Sequence, residues 1–102
     1  MRKNRRRYLL FQLHKERGAI TSNDLSIAIW RSLLSLFGEI EAAKSKLYLT
    51  EFDEKEGMGI LHCNAEVLSH VIASAAVIES INGIKVSFEP RKTSGTIKSL
   101  KR

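Results

Sequence analysis

A chain of 102 residues, 43% of them hydrophobic, can build one small core over residues 1–102 and leaves no room for a second domain. Its single cysteine, Cys63, excludes an internal disulfide and fits a reducing compartment. The net charge of +6 is unevenly placed: residues 1–7 hold five cations, residues 90–102 hold five more, neither segment contains an acid, and residues 8–89 set seven cations against eleven acids, a net of −4. Basicity confined to the two ends points to a polyanionic partner, because a surface that is only solvated would mix the signs along the chain. No run reaches the roughly 18 apolar residues of a membrane span, so no membrane association is expected. The apolar run behind the first cations lacks a small-residue cleavage site, and an intracellular, cytoplasmic protein is expected.

In chain order, Arg2, Lys3, Arg5, Arg6 and Arg7 run directly into a strand over residues 8–13, where Leu9, Phe11 and Leu13 share one face. The basic arm is therefore fused to a buried element. Thr21, Ser22 and Asn23 offer N-caps for a first helix over residues 24–37, with the stripe Leu25, Ile29, Leu33, Leu36, Phe37, Ile40 and a C-cap at Gly38. Ile27, Trp30 and Leu34 widen that stripe beyond what one sheet needs. A frayed turn over residues 39–45 leads to a second strand over 46–52, in which Tyr48 and Phe52 compete with Leu47 and Leu49 for the buried face. A polar turn at 53–57 then makes a hairpin with a third strand over 58–63. Asn64 caps a second helix over residues 65–81, ended by Asn82-Gly83, and Ile84, Val86 and Phe88 alternate in a fourth strand that Pro90 closes.

The order β-α-β-β-α-β predicts an α+β, ferredoxin-like fold shared with RNA-recognition domains: a four-stranded antiparallel sheet with two helices on one face. In that topology the first strand lies between the third and the fourth, so the end of strand four runs beside the start of strand one. The two basic segments should meet at one edge of the sheet.

The chemistry in the sequence is that of binding. His62 and Cys63 are adjacent in a strand and point to opposite faces, which argues against a shared metal, and no nucleophile comes with a base. No metal or cofactor bound by the protein is expected. Asp53, Glu54 and Glu56 read as a solvated turn before they read as a Mg²⁺ site. At the glycine-bearing strand of RNA-recognition domains, Met58 and Ile60 stand where stacking aromatics would be, leaving Tyr8 as the one obvious platform. The apolar set Leu10, Met58 and Ile60 therefore suits a protein partner better than single-stranded RNA. The outer face of the second helix, with His70, Ala73 and Val77, carries Glu66 but otherwise lacks the Lys and Glu of a solvated helix and reads as a second docking face. Arg91, Lys92, Ser94, Gly95, Thr96 and Lys98 combine hydroxyls, a glycine and cations, a composition suited to phosphate.

Five stretches occur in order: Tyr8-Leu9-Leu10-Phe11 after the arm; Ala28-Ile29-Trp30-Arg31-Ser32-Leu33 leading to Leu36-Phe37-Gly38-Glu39; Gly59-Ile60-Leu61-His62-Cys63; Ile81-Asn82-Gly83; and Ser94-Gly95-Thr96-Ile97-Lys98. Together, over about residues 5–98, they resemble archaeal ribonuclease P protein component 2, homologous to a eukaryotic ribonuclease P and MRP subunit. The resemblance implies a protein subunit of the RNA-based endonuclease that removes the 5′ leader from precursor tRNA. It implies that the RNA is the catalyst and holds the Mg²⁺, so that the protein has no catalytic residues. It also implies pairing with the barrel-shaped protein component 3 and contacts from Arg5, Arg6, Arg7 and residues 94–98 to phosphates of ribonuclease P RNA. A homodimer is a further expectation. Two alternatives stay open on residues alone: a stand-alone RNA-binding domain, and a ferredoxin-like ligand-sensing or dimerisation module with basic tails.

Overall fold

The structure, a computed structural model, describes residues 5–101, so the expected roles of Arg2 and Lys3 lie outside the described residues. The elements are β1 (Arg6–Lys15), α1 (Ser22–Ser45), β2 (Tyr48–Phe52), β3 (Met58–Asn64), a 3-10 turn (Ala65–Val67), α2 (Leu68–Ala76), β4 (Ser80–Ile81), β5 (Ile84–Ser94) and α3 (Ile97–Leu100). They form an α+β fold around one antiparallel sheet of order β2-β3-β1-β5-β4. Among the described residues no helix is long and apolar enough to cross a membrane.

The expected four-stranded sheet is corrected to five strands, with a third helix. Two local causes account for the difference. Asn82 and Gly83 both have positive φ, 53° and 80°, which makes them the two-residue turn of a β4–β5 hairpin; the expected end of a helix is a hairpin turn. The second helix accordingly stops at Ala76 and Ile81 enters the core from a strand. Pro90 does not close the last strand either. Phe11 pairs with Pro90 and Leu10 with Lys92, so the ladder slips at Arg91 and continues to Ser94. The missing proline donor is tolerated next to that bulge, on a stretch of β5 beyond the reach of β4, which pairs only with Ile84 and Lys85.

Leu9, Phe11 and Leu13 of β1 join Leu61 and Cys63 of β3, Leu25, Ile29 and Leu33 of α1, and Val71 and Ala75 of α2 in one buried cluster. Both longer helices therefore cover the same sheet face. In α1 the Thr21 hydroxyl accepts from the Asp24 amide at 3.0 Å, and the helix is interrupted at Gly38 (φ 86°, ψ 172°) before resuming to Ser45. That break rotates the last turns, so Ala42 is buried while Ile40, expected on the inner stripe, is 79% exposed. A bulge at Thr50 resolves the competition in β2. Leu49 pairs with Leu61 and Phe52 with Gly59, both on the core side, whereas Tyr48 opposite His62 faces the other way.

Gly59 is required by a close approach. A Cβ there would sit 2.5 Å from Phe11 Cζ and 2.9 Å from the Glu51 carbonyl oxygen. Phe11 is itself packed between Phe88, at 4.7 Å between ring centroids, and Phe52, at 6.1 Å. Gly59→Ala is therefore expected to lower stability by about 1–3 kcal/mol, or several degrees or more in Tm. An unchanged thermal midpoint would show that this packing yields freely.

Candidate nucleic-acid interface

The β1–β5 ladder decides where the charges go. Tyr8 pairs with Ser94, Leu9 with Thr93 and Leu10 with Lys92, so the basic arm and the C-terminal segment lie side by side at one end of the sheet. The Arg7 guanidinium donates to Thr93 Oγ1 at 3.4 Å, and a Cβ on Gly95 would lie 3.8 Å from it. Arg5, Arg6, Arg7, Tyr8, Ala65 and Gly95 line an open cleft of about 450 Å³. Arg5 and Arg6 also border a second cleft with Lys46 and Asn64. Lys46 carries the left-handed turn that ends α1 (φ 51°), and the sequence reading missed it because it was assigned to a strand.

The hydroxyls of the C-terminal segment are committed to folding it. Ser94 Oγ accepts from the Thr96 amide at 3.2 Å and Thr96 Oγ1 accepts from the Ser99 amide at 3.3 Å, which caps α3. Each hydroxyl still has its proton to donate outward. Arg91 and Lys98 are exposed, and the Lys92 ammonium donates to the Ser99 carbonyl at 3.2 Å.

That last contact corrects one expectation. Leu10, Met58 and Ile60 were expected to form an apolar face open to a protein, but α3 crosses it. Lys92 and Glu51 flank Leu10 and Ile60 in the sheet register; Ser99 is held over Lys92, and the Lys101 ammonium reaches Glu51 at 2.9 Å. Between those anchors Leu100 is 4% exposed and Ile60 only 2%. Neither belongs to the main core cluster; both are buried on the second face, and Ile60 is closed to a partner.

One row nearer Arg6, the same face carries three rings. Tyr8 and His62 lie 5.3 Å apart between centroids at 68°, and Tyr48 and His62 lie 5.3 Å apart at 34°. His62 Nδ1 is 2.9 Å from Thr50 Oγ1, while burial and the nearby Arg6 charge depress the His62 pKa. Tyr48 and His62 were missed as site residues, since the unrecognised bulge at Thr50 hid which way Tyr48 points. Cys63, on the opposite face of the same strand, is a core thiol pushed up to about 11 by burial.

The helical face keeps its expected exposure in part. Ala73 is exposed, and Val77, also exposed, borders with Ile27 an open cleft of about 620 Å³ between α1 and the segment after α2. His70 is engaged within the chain: its ring stacks on Phe37 at 4.2 Å and its Nδ1 lies 3.2 Å from Glu41 Oε1. At the far end of the sheet, the acids of the turn also have internal partners. Asp53 Oδ1 accepts from the Lys55 and Glu56 amides at 2.9 and 3.0 Å, which holds its carboxyl below the usual range, and Glu54 Oε2 accepts from the Ser22 amide at 2.9 Å.

Comparison with known proteins places this arrangement. The profile of the Rpp14/Pop5 family matches residues 7–102. The chain belongs to the Rpp14/Pop5 family. Among curated members, ribonuclease P protein component 2 of Pyrococcus furiosus is 35% identical over 100 residues, covering 98% of this chain and 82% of the relative. The protein of the same name from Archaeoglobus fulgidus is 37% identical over 100 residues, covering 98% and 88%. A chain in a cryo-EM structure of yeast ribonuclease MRP shares the fold with a TM-score of 0.73 at 11% identity, covering 94% of this chain and 78% of that one. The Rpp14/Pop5 match includes β1 and the C-terminal segment but begins at Arg7, so the placement of Arg5 and Arg6 rests on the geometry described here.

The covering role of α3 is directly measurable. Leu100→Ala should cost about 2 kcal/mol and shift the amide resonances of Leu10 and Ile60. Perturbation confined to the C-terminal residues would mean that α3 does not close this face.

Proposed function

We propose that this chain is a protein subunit of ribonuclease P, and that the basic end of its sheet neutralises phosphates of the catalytic RNA so that the RNA reaches its cleaving geometry on precursor tRNA. The observation that carries the mechanism is the β1–β5 register, which pairs Tyr8 with Ser94 and Leu9 with Thr93 and so brings the basic arm against the C-terminal segment, where the Arg7 guanidinium donates to Thr93 Oγ1. Folding brings two cationic segments into one site, and phosphate repulsion at that site falls when RNA docks. Each neutralised phosphate contributes roughly 0.7–0.9 to the slope of log affinity against log salt. In this reading Arg5, Arg6, Arg7 and Lys98 supply charge, while the outward hydroxyl protons of Ser94 and Thr96 supply direction.

The chain contributes no catalytic group; the RNA performs the cleavage and holds the Mg²⁺. The four longer strands with α1 and α2 serve as a ferredoxin-like scaffold to which β4 and α3 are added. Protein component 3 docks on the helical face around Val77, Ala73 and Ile27, the face a homodimer would also use. The place of work is the cytoplasm.

The test is Mg²⁺-dependent cleavage of precursor tRNA by ribonuclease P RNA with component 3, with and without this chain. The native chain should stimulate cleavage, and the combined Arg5→Ala, Arg6→Ala, Arg7→Ala and Lys98→Ala variant, folded by circular dichroism, should lose at least about tenfold of that stimulation at low Mg²⁺. Full stimulation by the variant would overturn the phosphate mechanism. No stimulation by the native chain would overturn the subunit assignment.

A further inference from the structure

The row Tyr48, His62 and Tyr8 forms the floor of a slot. Tyr8 and Tyr48 both pair with His62, one on each side, so the three rings cross β1, β3 and β2 in a line. Their face is opposite the main core, because Leu9, Leu61 and Cys63 occupy the intervening positions on the buried side. On one flank α3 crosses the adjacent row. On the other flank stands Arg6, near enough to His62 to depress its pKa. Past Tyr8 the row continues into Ser94 and the turn at Gly95.

We propose that this slot binds an unpaired nucleobase of an RNA strand, stacked on Tyr48 and His62, with its phosphates toward Arg6, Arg7 and the turn at Gly95. The rings offer π faces and no fixed charge, which suits a base, while the guanidiniums at the row's end suit the phosphates attached to it. Tyr48 is 61% exposed although it sits in a strand, and nothing in the core depends on it. His62 lies 2.9 Å at Nδ1 from Thr50 Oγ1, which orients its ring, and burial and the Arg6 charge lower its pKa, which favours the uncharged form. RNA-recognition domains place their stacking aromatics where this chain has Met58 and Ile60; here that function moves one row toward the charge, since α3 occupies the row of Ile60. The inference rests on the RNA-subunit reading and adds to it a class of nucleotide: single-stranded and flipped out of a helix.

The test uses the full chain and an eight-nucleotide single-stranded RNA with a central 2-aminopurine, beside the same oligonucleotide with an abasic site at that position. Stacking should quench the 2-aminopurine, the abasic site should weaken binding about tenfold, and Tyr48→Ala should weaken binding of the intact oligonucleotide by the same factor without affecting the abasic one. Tyr48→Phe should restore both signals. Equal binding of the two oligonucleotides by the native chain, or unchanged binding by Tyr48→Ala, overturns the stacking slot. The broader role is read separately by the cleavage assay, which needs no oligonucleotide binding and can succeed when the slot fails.

Discussion

β1 carries two ladders at once. Leu9 faces Leu61 across one and Thr93 across the other, so the first strand is the seam on which β3 and β5 meet. Its inward residues Leu9, Phe11 and Leu13 are at the centre of the core, and Phe11 fits only because Gly59 leaves room for it. The hydrophobic residues of β1 therefore stabilise the fold, and the same strand's first residues carry charge. Any change that loosened the β5 ladder would cost burial at Phe88 and would also part the two cationic segments.

The pairing gives the domain an electrostatic direction. Arg5, Arg6, Arg7 and Lys46 gather at one end, where β1 starts and β3 ends. At the other end lies the acidic turn, held to β1 by Gln12 donating to the Glu56 carbonyl at 2.6 Å. Glu89 extends that acidic end; His14 lies 2.8 Å from its carboxylate and lowers its pKa. A body whose cations gather at one end, while at the other the acids alternate with Lys15 and Lys55, orients itself in the field of a polyanion before contact. The two faces divide the remaining surface, with α1 and α2 over the core and α3 beside the aromatic row on the other side.

Much of this was legible in the sequence. Period-two alternation identified β1 and the core of β3, and the segregation of charge together with the strand order identified the meeting of the two ends. The misreadings share a cause: bulges and left-handed residues shift a pattern without changing composition. The bulge at Thr50 put Leu49 and Phe52 on one face, which no strict alternation allows, and so concealed Tyr48. Asn82-Gly83 can end a helix or turn a hairpin, and only the ladder from Ile84 to Ile81 decides between them. Leu100 looked like part of a basic tail because a four-residue helix has too little periodicity to read; its neighbours Ser99 and Lys101 are anchored by Lys92 and Glu51, far from it in sequence or in space until the sheet forms.

The central claim is that the arm and the C-terminal segment act as one RNA-binding surface. Its most direct test is a titration of the ¹⁵N-labelled chain with ribonuclease P RNA, followed by amide resonances. The account predicts that Arg6, Arg7, Tyr8, Ser94, Gly95 and Lys98 respond together at the same RNA concentration, while Asp53, Glu54 and Val77 do not. Separate titration of the two segments, or a response centred on Val77 and the helical face, would contradict it.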